Sequence, residues 1–190
     1  MKYVITFYTD WHCGSGLSSG ADLDLLMIKD KNKLPFIPGK TIKGLVREAV
    51  EEIYSFSNLD LDLDLVKVFG IEENVKKGIE SGQGCCFFTN AEINEDLRNA
   101  IVCNKLQDYL YRSLASTAID EEGIADEHSL RKMEVCVPCE LEGEILNVPD
   151  DFREIIEKGL KFIKRLGQNR NRGLGRCVIK VIQNEKGGNQ

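Results

Sequence analysis

Apolar residues recur along this chain in two rhythms, a period of two and a period near 3.6, separated by stretches of glycine and polar side chains. Residues 2–8 partly alternate and are rich in Val, Ile, Tyr and Phe, the composition of a strand. Residues 9–21 are Gly- and Ser-rich and read as a loop. Residues 23–28 read as a short strand, closed by the turn-like Lys29-Asp30-Lys31-Asn32-Lys33. After Pro35-Phe36-Ile37-Pro38-Gly39, the residues Ile42, Leu45, Val46, Ala49, Val50 and Ile53 fall at helical spacing, which predicts a helix over 41–54.

Leu alternates with Asp over 59–65, the pattern of a half-exposed strand or an extended acidic loop. Residues 85–93 predict a buried strand, and the polar, weakly periodic stretch 102–130 predicts a projecting insertion. Residues 135–148 alternate across Glu140, Glu142 and Glu144, predicting one long strand with a polar face. Residues 150–166 form an amphipathic helical pattern that turns Phe152, Ile155, Ile156, Leu160, Phe162 and Ile163 inward. A Gly, Asn, Gln and Arg loop over 167–175 leads to a last strand at 177–182 and a frayed tail at 186–190. Strand, helix, strand, repeated once, is the order of an α+β domain of ferredoxin-like or RNA-recognition-motif type. The aromatic stacking signature of the common recognition motif is absent, so any RNA binding must come from loops.

Composition narrows the class. The 190 residues are 42% hydrophobic and 29% charged, ordinary globular usage that excludes collagen-like and wholly disordered chains. No apolar run approaches the roughly 18 residues a membrane span needs, and the first residues lack a signal-peptide layout, so the expected location is the cytoplasm. Seven cysteines, scattered in no framework pattern, suit reduced thiols. The net charge of −6 hides a partition: residues 1–47 carry +3, residues 48–157 carry −17, and residues 158–184 hold eight basic side chains and no acid. Local potential is what a phosphate backbone senses, so the two ends can share one basic face; the alternative is a solvated basic helix.

Two segments concentrate candidate chemistry. In Leu34-Pro35-Phe36-Ile37-Pro38-Gly39-Lys40-Thr41-Ile42-Lys43-Gly44-Leu45-Val46-Arg47, a tight turn opens a helix whose first turn offers N–H groups to an anion. Lys40 and Thr41 add side-chain donors, and Lys43 and Arg47 stand four apart on one face. A well-capped helix with no ligand fits the same residues. In Gly167-Gln168-Asn169-Arg170-Asn171-Arg172-Gly173-Leu174-Gly175-Arg176, Gly167, Gly173 and Gly175 expose backbone N–H groups, and Arg170, Arg172 and Arg176 supply bidentate phosphate contacts. Cys136-Val137-Pro138-Cys139 is a CxxC without a second pair, which reads as structural thiols rather than a zinc site.

Together the two segments resemble the RAMP superfamily of CRISPR-associated proteins, through an Ile-Pro-Gly-x-x-Ile-Lys-Gly-x-x-Arg helix start and a C-terminal Arg-Gly-x-Gly-Arg loop. Trp11-His12-Cys13-Gly14-Ser15-Gly16 is similar to the family's loop after the first strand. Val68-Phe69-Gly70 and the Gly84-led strand are similar to its central segment. The resemblance implies one modified ferredoxin-like domain over 1–190, with a thumb-like insertion at about 102–134 and a Gly-rich loop near the C-terminus. It is greatest to the repeated guide-RNA-binding backbone subunit of type III interference complexes, ribonucleoproteins of antiviral defence. The partners it implies are guide RNA, complementary target RNA and other effector subunits, further RAMP proteins among them, with no membrane.

The same resemblance implies site residues. Guide contacts fall on His12, Lys40, Thr41, Lys43, Arg47, Arg170, Arg172 and Arg176. Ile28-Lys29-Asp30 matches a family landmark, and the loop aspartate six residues before its Asp is Asp24, with Asp22 as the alternative. Asp24 is then the catalytic residue and the holder of Mg²⁺ or Mn²⁺ for cutting target RNA, with the RNA's own 2′-hydroxyl as the attacking group. The alternatives are a solvent-facing Asp22–Asp24 pair in a non-cleaving subunit, and a metal-independent guide-processing endoribonuclease with His12 as general base. His12 also fits a packing or phosphate-contact role, and His128 an exposed position in the insertion.

Overall fold

A computed structural model describes residues 1–16, 24–56, 62–71, 81–124 and 129–182, with the backbone alone at 62–64. Asp22, His128 and the tail expected to fray lie outside the described residues.

The first strand, β1 (Lys2–Phe7), is an interior strand of the main sheet: it buries one face and meets partners on both edges. Tyr3, Ile5 and Phe7 point into the core. β1 pairs antiparallel with β7 (Glu140–Leu146) and with β8 (Cys177–Ile182). Tyr3 faces Gly143 across the ladder, where a Cβ would come within 2.4 Å of the Tyr3 hydroxyl, so the glycine makes room for the ring. β2 (Phe36–Ile37), β3 (Phe87–Phe88) and β4 (Ala91–Glu92) complete the sheet, in the order β2-β4-β7-β1-β8 with β3 also on β7.

Two long helices pack together against the sheet. α1 (Gly39–Ser55) buries Gly39, Ile42, Val46, Ala49 and Val50, and α4 (Asp150–Phe162) buries Phe152, Ile156, Gly159 and Leu160. They approach closely at Gly159, where a Cβ would lie 2.8 Å from a Val50 methyl. The other face of the sheet is polar, with Glu140 and Glu142 exposed and Thr6 donating to Glu140 at 2.8 Å. This arrangement is the ferredoxin-like α+β fold expected from the sequence. A recognition-motif domain offers aromatics on its open face; here the centre of that face offers glutamates.

Five expectations change. The Leu/Asp alternation does not make a strand or loop over 62–65: α2 spans Asp62–Phe69 and turns Leu65, Val68 and Phe69 inward. The spacing of those three residues serves a helix as well as alternation serves a strand. Residues 85–93 split into β3 and β4 around Thr89 and Asn90. The long strand expected over 135–148 breaks at Val137-Pro138-Cys139 into two strands of different sheets: β6 (Arg131–Cys136) forms a mostly exposed hairpin with β5 (Tyr111–Ser116). Pro138 cannot donate a ladder hydrogen bond, so the break falls there. Finally, of the strand expected over 23–28, residues 24–28 give isolated bridges instead, and α4 ends at Phe162, which is 44% exposed rather than inward. α3 (Glu95–Cys103) is an element the periodicity does not announce.

Candidate nucleic-acid interface

The Gly-rich loop is anchored from below by the segment that follows β1. Gln168 N–H donates to the His12 carbonyl at 2.9 Å, Gly175 N–H to the Asp10 carbonyl at 2.8 Å, and Arg176 N–H to the Thr9 hydroxyl at 3.0 Å. Two glycines are required by close approach. A Cβ on Gly167 would lie 2.3 Å from the His12 carbonyl oxygen, and one on Gly175 would lie 1.9 Å from that of Leu166. Both also hold positive φ, which L side chains rarely adopt. Arg170–Arg172 make a single 3-10 turn at the loop's crest, with Arg170, Arg172 and Gly173 exposed.

Asp24 comes to the same place from another direction. Its N–H donates to the Lys132 carbonyl at 2.9 Å, and its Oδ2 accepts the Lys132 N–H at 2.7 Å. The exposed Asp24 therefore lies on the hairpin's inner strand, β6. A cleft of about 390 Å³ is lined by Asp24, Arg131, Lys132, Gln168, Asn169 and Arg172, among others. Three cationic side chains thus border one carboxylate, and the cleft is open to solvent.

Arg170 turns to a different depression, of about 180 Å³, which it shares with Leu45, Glu48 and Glu52 of α1 and with Arg165 at the end of α4. The Arg165 guanidinium donates to the Arg170 carbonyl at 2.6 Å. Leu45 and Glu48 also border a shallow surface of about 430 Å³ that holds Lys40, Thr41 and Arg47. The structure thus joins Arg170 to the α1 side chains, and Arg172 to Asp24. Lys43 lies toward Cys86, where its charge opposes the burial that pushes that thiol up to about 12.

The α1 start differs from the anion cradle expected of it. The Gly39 N–H is taken by the Asn90 side chain at 3.0 Å, and those of Thr41 and Ile42 bond to the Pro38 carbonyl. A Cβ on Gly39 would lie 2.0 Å from the Phe88 carbonyl oxygen, so packing on β3 dictates this glycine. The side chains of Lys40 and Thr41 remain as donors; the backbone contributes little. Arg47 is partly engaged too, paired with Glu51 at 2.7 Å and reaching the Gly70 carbonyl at 3.4 Å.

His12 is wholly buried. Its Nδ1–H donates to the Glu134 carbonyl at 2.6 Å, and Nε2 is buried without a hydrogen-bond partner among the described residues. The ring is packed between the hairpin base and the Gly-rich loop, so the expected phosphate contact gives way to the packing role. The Cys136 and Cys139 thiols are free, and their mutual hydrogen bond and burial push Cys136 up. Among the described residues, no group of three or more His, Cys, Asp or Glu is arranged to hold a metal, and no helix is long and apolar enough to cross a membrane.

Sequence reasoning missed Arg131, Lys132, Gln168 and Asn169. A basic dipeptide inside the acidic stretch 48–157 was the available signal for the first two.

A family model described as the RAMP superfamily matches residues 4–178. This chain belongs to the RAMP superfamily. Solved structures agree in fold. A chain of a type III-B Cmr-beta complex bound to cognate target RNA has a TM-score of 0.71 at 12% identity, covering 94% of this chain and 95% of that one. A chain of the apo Cmr-beta complex has a TM-score of 0.67 at 13% identity, with 94% and 95% covered. A chain of a type IV-B CRISPR complex has a TM-score of 0.61 at 12% identity, with 100% and 92% covered. No curated protein matches.

Proposed function

We propose that this RAMP chain is a guide-RNA-binding backbone subunit of a type III CRISPR interference complex in the cytoplasm, and that it cuts bound target RNA with the help of a divalent cation at Asp24. Guide RNA, complementary target RNA and other effector subunits are its partners. The observation that carries this reading is the shared cleft, in which Asp24 stands beside Arg131 and Lys132 of the hairpin and Arg172 of the Gly-rich loop.

The donor set suits a hydrated Mg²⁺ or Mn²⁺ rather than a protein cage. One exposed carboxylate, with an oxygen already accepting an N–H, is the arrangement for an ion that keeps waters and shares its coordination with substrate phosphate. When bound, the ion supplies charge stabilisation at the scissile phosphate. The protein's own residues do the positioning. Arg131, Lys132 and Arg172 bracket the phosphodiester, and Arg170 with Lys40 and Thr41 follows the guide along α1. Contacts of this kind accept any sequence, as a guide carrier must. The attacking group is the RNA's own 2′-hydroxyl, so DNA is a poor substrate. His12, buried and bonded to a carbonyl, offers no accessible ring nitrogen to the general-base alternative.

The test uses the assembled complex. Target RNA should be cut with Mg²⁺ or Mn²⁺ and left intact in chelator, and Asp24→Ala should bind guide and target without cutting. Asp22→Ala should keep substantial cleavage. A wild-type complex that binds target and never cuts it makes the subunit a scaffold.

A further inference from the structure

Asp24 is bonded to Lys132, and the segment that follows it is tied to the hairpin by a buried acid two residues further along the strand, Glu134. Glu134 is 9% exposed, and both of its carboxylate oxygens are occupied. Oε2 accepts the Met27 N–H at 3.1 Å, and Oε1 accepts the Lys29 ammonium at 2.7 Å. The backbone of the same residue adds two more ties: its N–H donates to the Leu25 carbonyl at 2.9 Å, and its carbonyl accepts from His12. Leu25 bridges Met133 in parallel. Residues 24–29 are thus laid along β6, with Asp24 at one end and Lys29 at the other.

Lys29 completes the clamp. Its ammonium also stands 3.8 Å from the centre of the Tyr111 ring, on the neighbouring hairpin strand β5. A cation between a buried carboxylate and an aromatic face is favoured by both. The opposite edge of the segment is tied to the loop after β1, through Ile28 N–H to the Cys13 carbonyl at 2.8 Å and Ser15 N–H to the Leu26 carbonyl at 3.0 Å.

We infer that Glu134, with Lys29, is a positioning residue for cleavage: it fixes the Asp24 segment to the hairpin, so that the hairpin sets where the carboxylate stands in the cleft. This rests on the cleavage reading above. Glu134 touches neither RNA nor ion in that reading. It acts through residues 25–29, and the geometry it maintains is the kind whose loss by about 1 Å costs on the order of 10² in rate.

The experiment compares wild type, Glu134→Gln, Glu134→Ala and Lys29→Met in the assembled complex, by single-turnover target cleavage, target affinity and hydrogen exchange of the peptide covering residues 24–29. Glu134→Ala should slow cutting by about 10²-fold, with target affinity unchanged, while exchange over 24–29 rises and that of β1 and β8 does not. Glu134→Gln keeps an acceptor for Met27 and should rescue part of the rate. Lys29→Met should fall between the two, and it serves with Glu134→Gln if the Ala variant does not assemble. Unchanged exchange over 24–29 overturns the inference whatever happens to cutting. Raised exchange with wild-type cutting overturns it as well. A wild-type complex that never cuts overturns the cleavage reading and the positioning role with it, while exchange over 24–29 still reports whether Glu134 holds the segment.

Discussion

Asp24 and Lys132 bind each other twice, the backbone N–H of each being accepted by the other, at the Lys132 carbonyl and the Asp24 carboxylate. The second of these bonds makes Asp24→Ala an impure probe, because it removes charge and tether together. Asp24→Asn separates them, since the amide oxygen can still accept the Lys132 N–H. Cleavage should fall by on the order of 10² or more, the scale of losing one preorganised electrostatic group. Exchange of the peptide over 24–29 should stay at the wild-type level. Wild-type cleavage by the Asn variant removes the carboxylate from the chemistry.

Arg170 and Arg172 are two residues apart but line different clefts. Arg172→Ala should slow target cleavage in the complex, whereas Arg170→Ala should weaken guide retention and leave the cutting step of the remaining complex alone. Removing one cation from a single-strand phosphate lowers the slope of log affinity against log salt by about 0.7. Binding across a salt series checks both; an unchanged slope for Arg170→Ala rejects its role on the guide.

Gly175 and Gly173 hold similar positive φ values, 69° and 91°, yet only Gly175 has backbone where a Cβ would go. Gly173→Ala should cost about 1–2 kcal/mol, the conformational penalty alone. Gly175→Ala should cost distinctly more, at least about 2–3 kcal/mol, because the chain around Leu166 must move as well. Urea unfolding gives both numbers, and equal midpoints would mean that the approach to Leu166 adds nothing to the cost.

Stability should decline in alkali. Burial raises the Cys177 thiol from 9.0 to about 11, and burial with the neighbouring Cys85 raises Cys86 from 9.0 to about 12. Above pH 9 the unfolded chain loses these protons while the folded chain keeps them, so the unfolded state binds fewer and stability falls as pH rises. The contribution is complete below pH 9 and is lost up to about pH 12. Urea midpoints in reductant at about pH 8 and 10.5 measure the decline, and Cys177→Ala should make it shallower.

The main sheet and its two long helices were legible because their patterns run long: β1, α1, α4 and β8 each bury a regular stripe. The hairpin and α3 were not. Residues 95–124 bury almost no apolar side chain besides Ile101, so periodicity had nothing to register, although Asn94 followed by Glu95 and Asp96 is a helix-start signal; Asn94 does accept the Leu97 N–H at 2.9 Å. At the site, Asp24 and the arginines were reached through the resemblance to the RAMP superfamily rather than through local pattern. That Arg172 meets Asp24 while Arg170 meets α1 was not legible, because it depends on a one-turn 3-10 crest. Glu134 fell at the end of the expected insertion, just before the strand expected over 135–148, and its contacts with Met27 and Lys29 span more than 100 residues of sequence, so no local pattern records them.

On the proposed function, the division between the two sides of the molecule bears on how it finds RNA. On the open sheet face Glu140, Glu142 and Glu144 outnumber Lys2 and Lys180, while Arg131, Lys132 and Arg172 gather around the cleft, so charge is divided unequally between the two. An approaching polyanion turns the subunit before touching it, and the encounter begins with the cleft forward. Arrivals with the sheet face leading are less favoured than those with the cleft leading. Orientation is therefore selected during diffusion, and added salt removes that selection by slowing productive arrival before it shortens the life of the finished complex.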